Sequence, residues 1–277
     1  MYAEKHYKIL KGAWVADKYY DVIYGNAGAL LAVLNMYTLF NEDKYLLDAR
    51  KIGDFLLQHQ CKNGGWRGET SANILAGFSH GIAGIAFALT KLWKFTGDNK
   101  YLSAALNGIK YEDTLYDYEA QNWKDERVFS GHKSSDEGNF MIAWCHGAAG
   151  VLLSRIKSYE LLEKNQKEML KDDIHNALDT VCKVGRFDNN CLCHGNLGNA
   201  EILLECHKII PNNEVENIYK NMFFDAAISI GNGQFDCGRA YLYGHKIPGF
   251  MTGMAGMGYE LLKFLMPELP CVLSGEI

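Results

Sequence analysis

Two runs in this sequence place a thiol, an imidazole and a glycine in direct succession: Cys145-His146-Gly147 and Cys193-His194-Gly195. A third, Ser79-His80-Gly81, carries the imidazole without the thiol. Two thiolates and one imidazole make a three-ligand set for zinc with a fourth position open, the mark of a catalytic rather than a structural site. So soft a set selects zinc over magnesium or calcium. A solitary Cys or His would be read as core, because Cys is among the most buried residue types. The argument for chemistry is that the pattern recurs.

The glycine pair that frames it recurs five times. The segments YGNAGALLAVL (24–34), SHGIAGIAFAL (79–89), CHGAAGVLLSR (145–155), CHGNLGNAEIL (193–203) and MTGMAGMGYELL (251–262) share glycines three apart, followed by an apolar stretch. Their first glycines, Gly25, Gly81, Gly147, Gly195 and Gly253, step by 56, 66, 48 and 58 residues, which is a repeat architecture. Each pair opens an apolar pattern with helical spacing, and glycine lets the chain turn sharply and pack closely there. More polar amphipathic helices are expected at 42–60 and 165–184. Apolar inner helices alternating with amphipathic outer ones predict an all-α fold, an α/α toroid. The glycine-marked N-termini should gather at one end, where the positive ends of the helix dipoles favour thiolates. Segments 111–140 and 232–250 fit the repeat least and are expected to form loops at that end.

Composition agrees with one domain spanning 1–277. Hydrophobic residues make up 48%, enough for a large core, and 4 Pro against 28 Gly suits long helices joined by glycine turns. A net charge of −5 argues against nucleic-acid binding, which needs a basic footprint. No apolar run approaches the roughly 20 residues of a membrane span. The N-terminal stretch MYAEKHYKILKGAW has no secretory core, so a cytoplasmic location with its 8 Cys reduced is expected.

The repeats GFSHGIAG, AWCHGAAG, LCHGNLGN and GFMTGMAGMGY together resemble the lanthionine synthetase C-like (LanC-like) family, most closely the C-terminal cyclase domain of class II (LanM-type) lanthipeptide synthetases. The likeness runs from about residue 20 to 268. It implies a zinc-dependent cyclase that adds peptide cysteines to dehydroalanine or dehydrobutyrine, closing (methyl)lanthionine thioether rings. It implies Cys145, Cys193 and His194 as Zn2+ ligands, His80 as the catalytic histidine, and Asp21, in YYDVIYGNAG, as its acidic companion. The partners implied are a dehydrated precursor peptide, with a dehydratase domain or enzyme and export machinery around it. The residue types suit such chemistry. A free thiol with a pKa of about 8.5 is mostly protonated at neutral pH, and metal coordination deprotonates it. An imidazole is suited to the general acid–base step, worth about 10²–10⁴-fold.

Other residues invite rival readings. Cys191 competes with Cys193 as a ligand, the resemblance selecting Cys193 because it directly precedes His194. His146 either lines the site or packs at a helix start. Trp144 is either a wall beside the metal or a core aromatic. Cys206 and His207 lie about three turns past His194 and are read as structural. Arg67 and Arg239 are candidates for peptide contact. Two departures from the family stand out. Many members have an arginine four residues before the first zinc cysteine, where this chain has Met141. The family's full ring also has more inner helices, so this toroid is expected to be short by about two repeats on the N-terminal side, a fragment of a longer synthetase or a short member.

A second function remains open: a LanC-like protein whose zinc holds glutathione or a cysteine peptide without cyclising it. Retention of both Asp21 and His80 favours the enzyme. QCKNGGW (60–66) faintly resembles the glutamine–tryptophan repeats of prenyltransferases and terpene cyclases, but it occurs once, and the HG repeats of this chain are foreign to that group. A glycosidase would need paired carboxylates at the helix starts, and none is evident.

Overall fold

The computed structural model describes residues 2–69, 71–127, 140–238 and 246–277. In chain order, the helices are α1 (Tyr2–Ala13), α2 (Asn26–Phe40), α3 (Asp43–Gln58), α4 (Ile82–Thr96), α5 (Asn99–Asp113), α6 (Ala148–Leu161), α7 (Lys164–Lys167), α8 (Lys171–Val184), α9 (Asn196–Ile209), α10 (Asn213–Gly231) and α11 (Met254–Leu265). A two-residue hairpin, β1 (Tyr116–Asp117) and β2 (Asn122–Trp123), lies between α5 and α6.

Helices α2, α4, α6, α9 and α11 are the five that the repeats foretell, and the first glycine of each pair is the residue capping each start. They are inner helices: α4 buries every position from Ile82 to Thr90 and also Leu92 among its fifteen residues, and α9 buries every residue from Leu197 to Cys206. Each packs on the next, α2 on α4, α4 on α6, α6 on α9 and α9 on α11. Outside them α3, α5, α8 and α10 each pair with the inner helix beside them in sequence. These outer helices bury one face only, as Tyr45, Ala49, Ile52 and Leu56 do on α3. That spacing is the apolar stripe of an amphipathic helix. The arrangement is an α/α toroid.

Local sequence sets the outer helix ends. Asn212 and Asp98 cap α10 and α5 by accepting backbone N–H bonds, and Gly97 ends α4 with φ +67°, a conformation natural to glycine. One expectation needs correction. The amphipathic run 165–184 is not one helix: a capping box at Glu163 and Gln166 starts the short α7, a 3₁₀ turn spans Glu168–Leu170, and α8 then restarts in a new register with Leu170 buried. A second adjustment concerns 111–140, where α5 continues to Asp113 and residues 116–123 pair as the hairpin. Residues 128–139 lie outside the described residues.

The ring is polar inside at the end away from the glycines. Lys263 of α11 is fully buried and ion-pairs Glu201 and Glu205 of α9, 3.1 Å from Glu205. Lys157 of α6 joins Glu205 to Glu276 of the C-terminal tail, at 2.5 and 2.8 Å. That tail returns from α11 across the other inner helices. The Leu273 carbonyl accepts from Trp144 Nε1 at 2.9 Å, and the Gly275 carbonyl accepts from Asn35 Nδ2 of α2 at 2.6 Å.

Glu260, wholly buried on α11, lies against Glu201. Burial, with the Glu201 charge next to it, pushes its pKa up to about 10. The folded chain therefore keeps a proton there that the unfolded chain sheds near its ordinary 4.5. Stability should fall as pH rises through that window, because the folded state binds the extra proton. Urea midpoints taken at about pH 6 and about pH 9 should separate in the wild type. In Glu260→Gln, which keeps a neutral hydrogen-bonding group, they should draw together. An equal separation in both would show that Glu260 is ionised in the fold.

Candidate metal centre and acid–base pair

Each site residue except Asp21, which lies one place further back, sits in the four-residue stretch just before an inner helix. In every repeat, a β-carbon on the second glycine would collide with the carbonyl oxygen six residues earlier: Val22 for Gly28, Phe78 for Gly84, Trp144 for Gly150, Leu192 for Gly198 and Phe250 for Gly256, all at 1.9–2.3 Å. The chain thus doubles back tightly over the helix start, and the residues one and two places before the first glycine ride on the loop. Neighbouring loops are tied together. Val22 N donates to Ser79 O at 3.0 Å, Phe78 N to Trp144 O at 3.1 Å and Cys193 N to Met251 O at 2.9 Å.

Side chains from the outer layer finish the scaffold. Glu112, wholly buried on α5, accepts from Gly77 N and Ala83 N at 3.0 and 3.1 Å and so clasps both ends of the His80 loop. It is held in turn by the buried Arg155 of α6 at 2.8 Å. Asn122 of β2 accepts from Ala148 N at 2.9 Å and donates to Met141 O at 3.0 Å, which fixes the Cys145 turn. None of these braces was singled out in the sequence; a polar residue on an otherwise amphipathic outer helix carries no periodic signal of its partner.

Cys145, Cys193 and His194 converge, their ligand atoms within 4.8 Å of one another. Tetrahedral zinc with bonds of about 2.0–2.3 Å needs ligand atoms roughly 3.5–3.8 Å apart, so the set closes on a metal by small side-chain adjustments. His194 Nε2 lies 2.5 Å from the Gly238 carbonyl, which can only accept. Nε2 therefore keeps a hydrogen, which leaves Nδ1 as the nitrogen that would bind a metal once its own proton is displaced. Cys191 is buried behind this ring, its sulfur 3.5 Å from His194 N, outside the triad. Hydrogen bonding from Cys193 and His194 pulls the Cys145 thiol well below its ordinary value, and the same contact pushes the Cys193 thiol up. His194 is raised to about 10, by Cys145 first and then Cys191. In effect Cys145 is the thiolate and its neighbours hold the protons that a metal ion would displace.

A second group, Glu201, Glu205 and Cys271, is also close enough to hold a metal. There the Lys263 ammonium already fills the charge between the two carboxylates, and burial pushes the Cys271 thiol well up. Its donors do not fit a second ion.

His80 stands beside the thiols through His146, the neighbour of Cys145, whose ring stacks on it at 5.5 Å. His80 also stacks on Tyr24, at 5.3 Å. Its Nδ1 is 2.9 Å from Asp21 Oδ2, and Asp21 is buried with Oδ1 accepting from Tyr24 N at 2.7 Å. The carboxylate takes Nδ1–H, so Nε2 is the nitrogen left to meet a substrate. Tyr20, just before Asp21, has φ +62°, a left-handed conformation uncommon for a bulky residue. Such outliers persist where surrounding structure over-determines them, often at functional sites.

The remaining candidates divide. His146 lines the inner wall, buried behind His80. Trp144 is a core aromatic, stacked on Phe78 at 6.0 Å. Cys206 is buried in the core, and His207 bonds the Asn212 backbone. Arg67 lines a surface groove with Lys18, Tyr20 and Glu69, and Arg239 lies outside the described residues. One residue was missed. Arg127 reaches the methionine that stands where many family members have arginine, its Nη2 2.8 Å from Met141 Sδ.

A family model described as lanthionine synthetase C-like protein matches residues 3–274, and the chain belongs to that family. Among its relatives, the lacticin 481/lactococcin biosynthesis protein LcnDR2 of Lactococcus lactis subsp. lactis is 28% identical over 88% of this chain and 25% of that protein. A Danio rerio protein named glutathione S-transferase LANCL1 is 24% identical over 70% of this chain and 45% of that one. Among solved structures, nisin cyclase superposes with a TM-score of 0.66 at 20% identity, covering 90% of this chain and 63% of the other. A polysaccharide lyase shares the toroid at a TM-score of 0.59 and 15% identity. The chain spans a quarter to under two thirds of the lengths of LcnDR2, LANCL1 and nisin cyclase.

Gly238 offers a test of the metal centre. A β-carbon there would stand 2.4 Å from Cys191 Sγ and 2.7 Å from His194 Nε2. Gly238→Ala should displace the carbonyl that orients His194 and weaken zinc binding by about 10–100-fold, the usual effect of losing such a partner. Competition with a chelating dye measures it; unchanged affinity would mean that His194 is oriented by other contacts.

Proposed function

We propose that this chain is a zinc-dependent lanthipeptide cyclase. The observation that carries the reading is the convergence of Cys145, Cys193 and His194 next to an Asp21–His80 pair. Family membership and the LcnDR2 relative support a peptide substrate. Zinc, held by the three side chains, would supply a Lewis acid that keeps a peptide thiol ionised at neutral pH.

The chain's own residues do the rest. Thiolate sulfur adds to the β-carbon of a dehydroalanine or dehydrobutyrine, the alkene's π electrons move onto the carbonyl as an enolate, and a proton returns to the α-carbon. The net change is addition of S–H across C=C, with no oxidant or reductant. His80 Nε2 is the group placed to exchange that proton. Asp21 fixes its tautomer and balances its charge when protonated, and the rings of Tyr24 and His146 hold it in plane. The peptide would arrive already dehydrated by a separate domain or enzyme and leave for export machinery. The setting would be the cytoplasm. No helix among the described residues is long and apolar enough to cross a membrane.

The name of the Danio rerio relative keeps a second reading in play, in which the thiol is glutathione. Offering the zinc-loaded chain either a dehydrated peptide with internal cysteines or glutathione with a simple dehydroamino acid separates the two.

Cys193→Ala should lose zinc and ring formation together, as read by elemental analysis and by mass spectrometry after thiol alkylation. His80→Ala should keep its zinc and slow cyclisation by about 10²–10⁴-fold, the worth of a general acid–base group. A Cys193→Ala protein that still binds one zinc and cyclises normally would remove the proposed ligand set.

A further inference from the structure

Arg127 has no counterpart in the glycine repeats, yet the fold delivers it to Met141, four residues before Cys145, and holds it there. The hairpin strand β2 ends at Trp123, which is buried, and Asn122 beside it is bonded both to the start of α6 and to the Met141 carbonyl. Two residues after Trp123, Asp125, its side chain 2% exposed, grips the Arg127 guanidinium. Nε is 2.8 and 3.1 Å from the two carboxylate oxygens, and Nη2 is 2.5 Å from Oδ2. That bidentate clamp fixes the plane of the guanidinium as well as its place. The same Nη2 rests on Met141 Sδ at 2.8 Å. Met141 in turn is locked against the Cys145 turn, its carbonyl lying where a β-carbon of Gly147 would be. Burial works against the Arg127 charge, but Asp125 outweighs it, and the sulfurs of Cys145 and Cys193 add to the attraction. The side chain keeps a quarter of its surface open.

Resting on the cyclase reading above, we propose that Arg127 is a catalytic residue of the same reaction: its guanidinium donates to the carbonyl oxygen of the dehydroamino acid, where charge collects as sulfur adds to the β-carbon. A neutral carbonyl gains little from such a donor and the enolate oxygen gains much, so the contact acts on the transition state. Methionine at 141 and aspartate at 125 are then positioning residues. A fixed, always-charged guanidinium is better suited to this than lysine, whose ammonium is a mobile point charge.

The test uses the zinc-loaded wild type with Arg127→Met and Arg127→Lys, measuring zinc content, affinity for a fluorescent dehydrated peptide, and cyclisation rate. Helical content by circular dichroism verifies folding. Arg127→Met should keep zinc and peptide affinity while the cyclisation rate falls about 10²–10³-fold, as when one oxyanion donor is removed. Added guanidinium ion should restore part of that rate, and Arg127→Lys should fall between. An Arg127→Met protein that cyclises at the wild-type rate, or that loses zinc in proportion to rate, would overturn the assignment. The second outcome would make the arginine a counter-ion of the thiolates. A wild type that binds zinc and peptide without cyclising would instead overturn the parent reading and this one with it.

Discussion

The structure turns on one steric constraint, the contact between a loop carbonyl and the second glycine of each repeat. Five times the chain arrives at an inner helix by folding back until a peptide oxygen occupies the space of a missing β-carbon. Only glycine permits that approach without displacing backbone. Its consequence is positional. The two residues preceding the first glycine are carried over the end of the helix, and because neighbouring loops are hydrogen-bonded to one another, they face a common centre. Cys145, Cys193, His194 and His80 all occupy such places. Asp21 sits four residues before Gly25 and reaches the same centre from the adjoining loop.

The two ends of the ring use polarity differently. At the glycine end, two thiols and an imidazole crowd together, and among the described residues the His80 ring is held by its carboxylate through one nitrogen. At the other end, Lys157 and Lys263 answer Glu201, Glu205 and Glu276 inside the ring. Buried ion pairs of that kind add little net stability over apolar packing, since desolvation offsets the attraction. What they do impose is register. A lysine on α11 meets glutamates on α9, and a lysine on α6 meets both α9 and the tail, so a rotated helix would strand a buried charge.

How much of this could be read in the sequence follows from the kind of signal involved. Helix starts, ring order and the thiol–imidazole set were legible because the repeat marks them with glycines at fixed offsets. The single helix expected over 165–184 failed because a capping box and a 3₁₀ turn preserve amphipathic composition while shifting its phase. Glu112, Asn122 and Gly238 were invisible for another reason. Each acts through a partner 26 to 44 residues away, on an element outside the repeat. Arg127 combines both difficulties, since only the hairpin that interrupts the pattern brings it to Met141.

The division of the site among repeats also bears on how it holds together. Asp21 comes from the first repeat, His80 from the second, Cys145 from the third, and Cys193 and His194 from the fourth, with Gly238 arriving on the approach to the fifth. No two adjacent repeats contain a complete metal set together with the acid–base pair. Nearest-neighbour stacking governs the stability of repeat folds, so slippage at one interface would separate ligands as well as packing surfaces. A metal bound by Cys145 and Cys193 would act across the α6–α9 interface in the opposite sense, adding its binding free energy to that junction because the unfolded chain offers no preformed site. The Asp21–His80 bond does the same on a smaller scale between α2 and α4. The residues proposed to perform the chemistry are thus also cross-links of the ring that positions them.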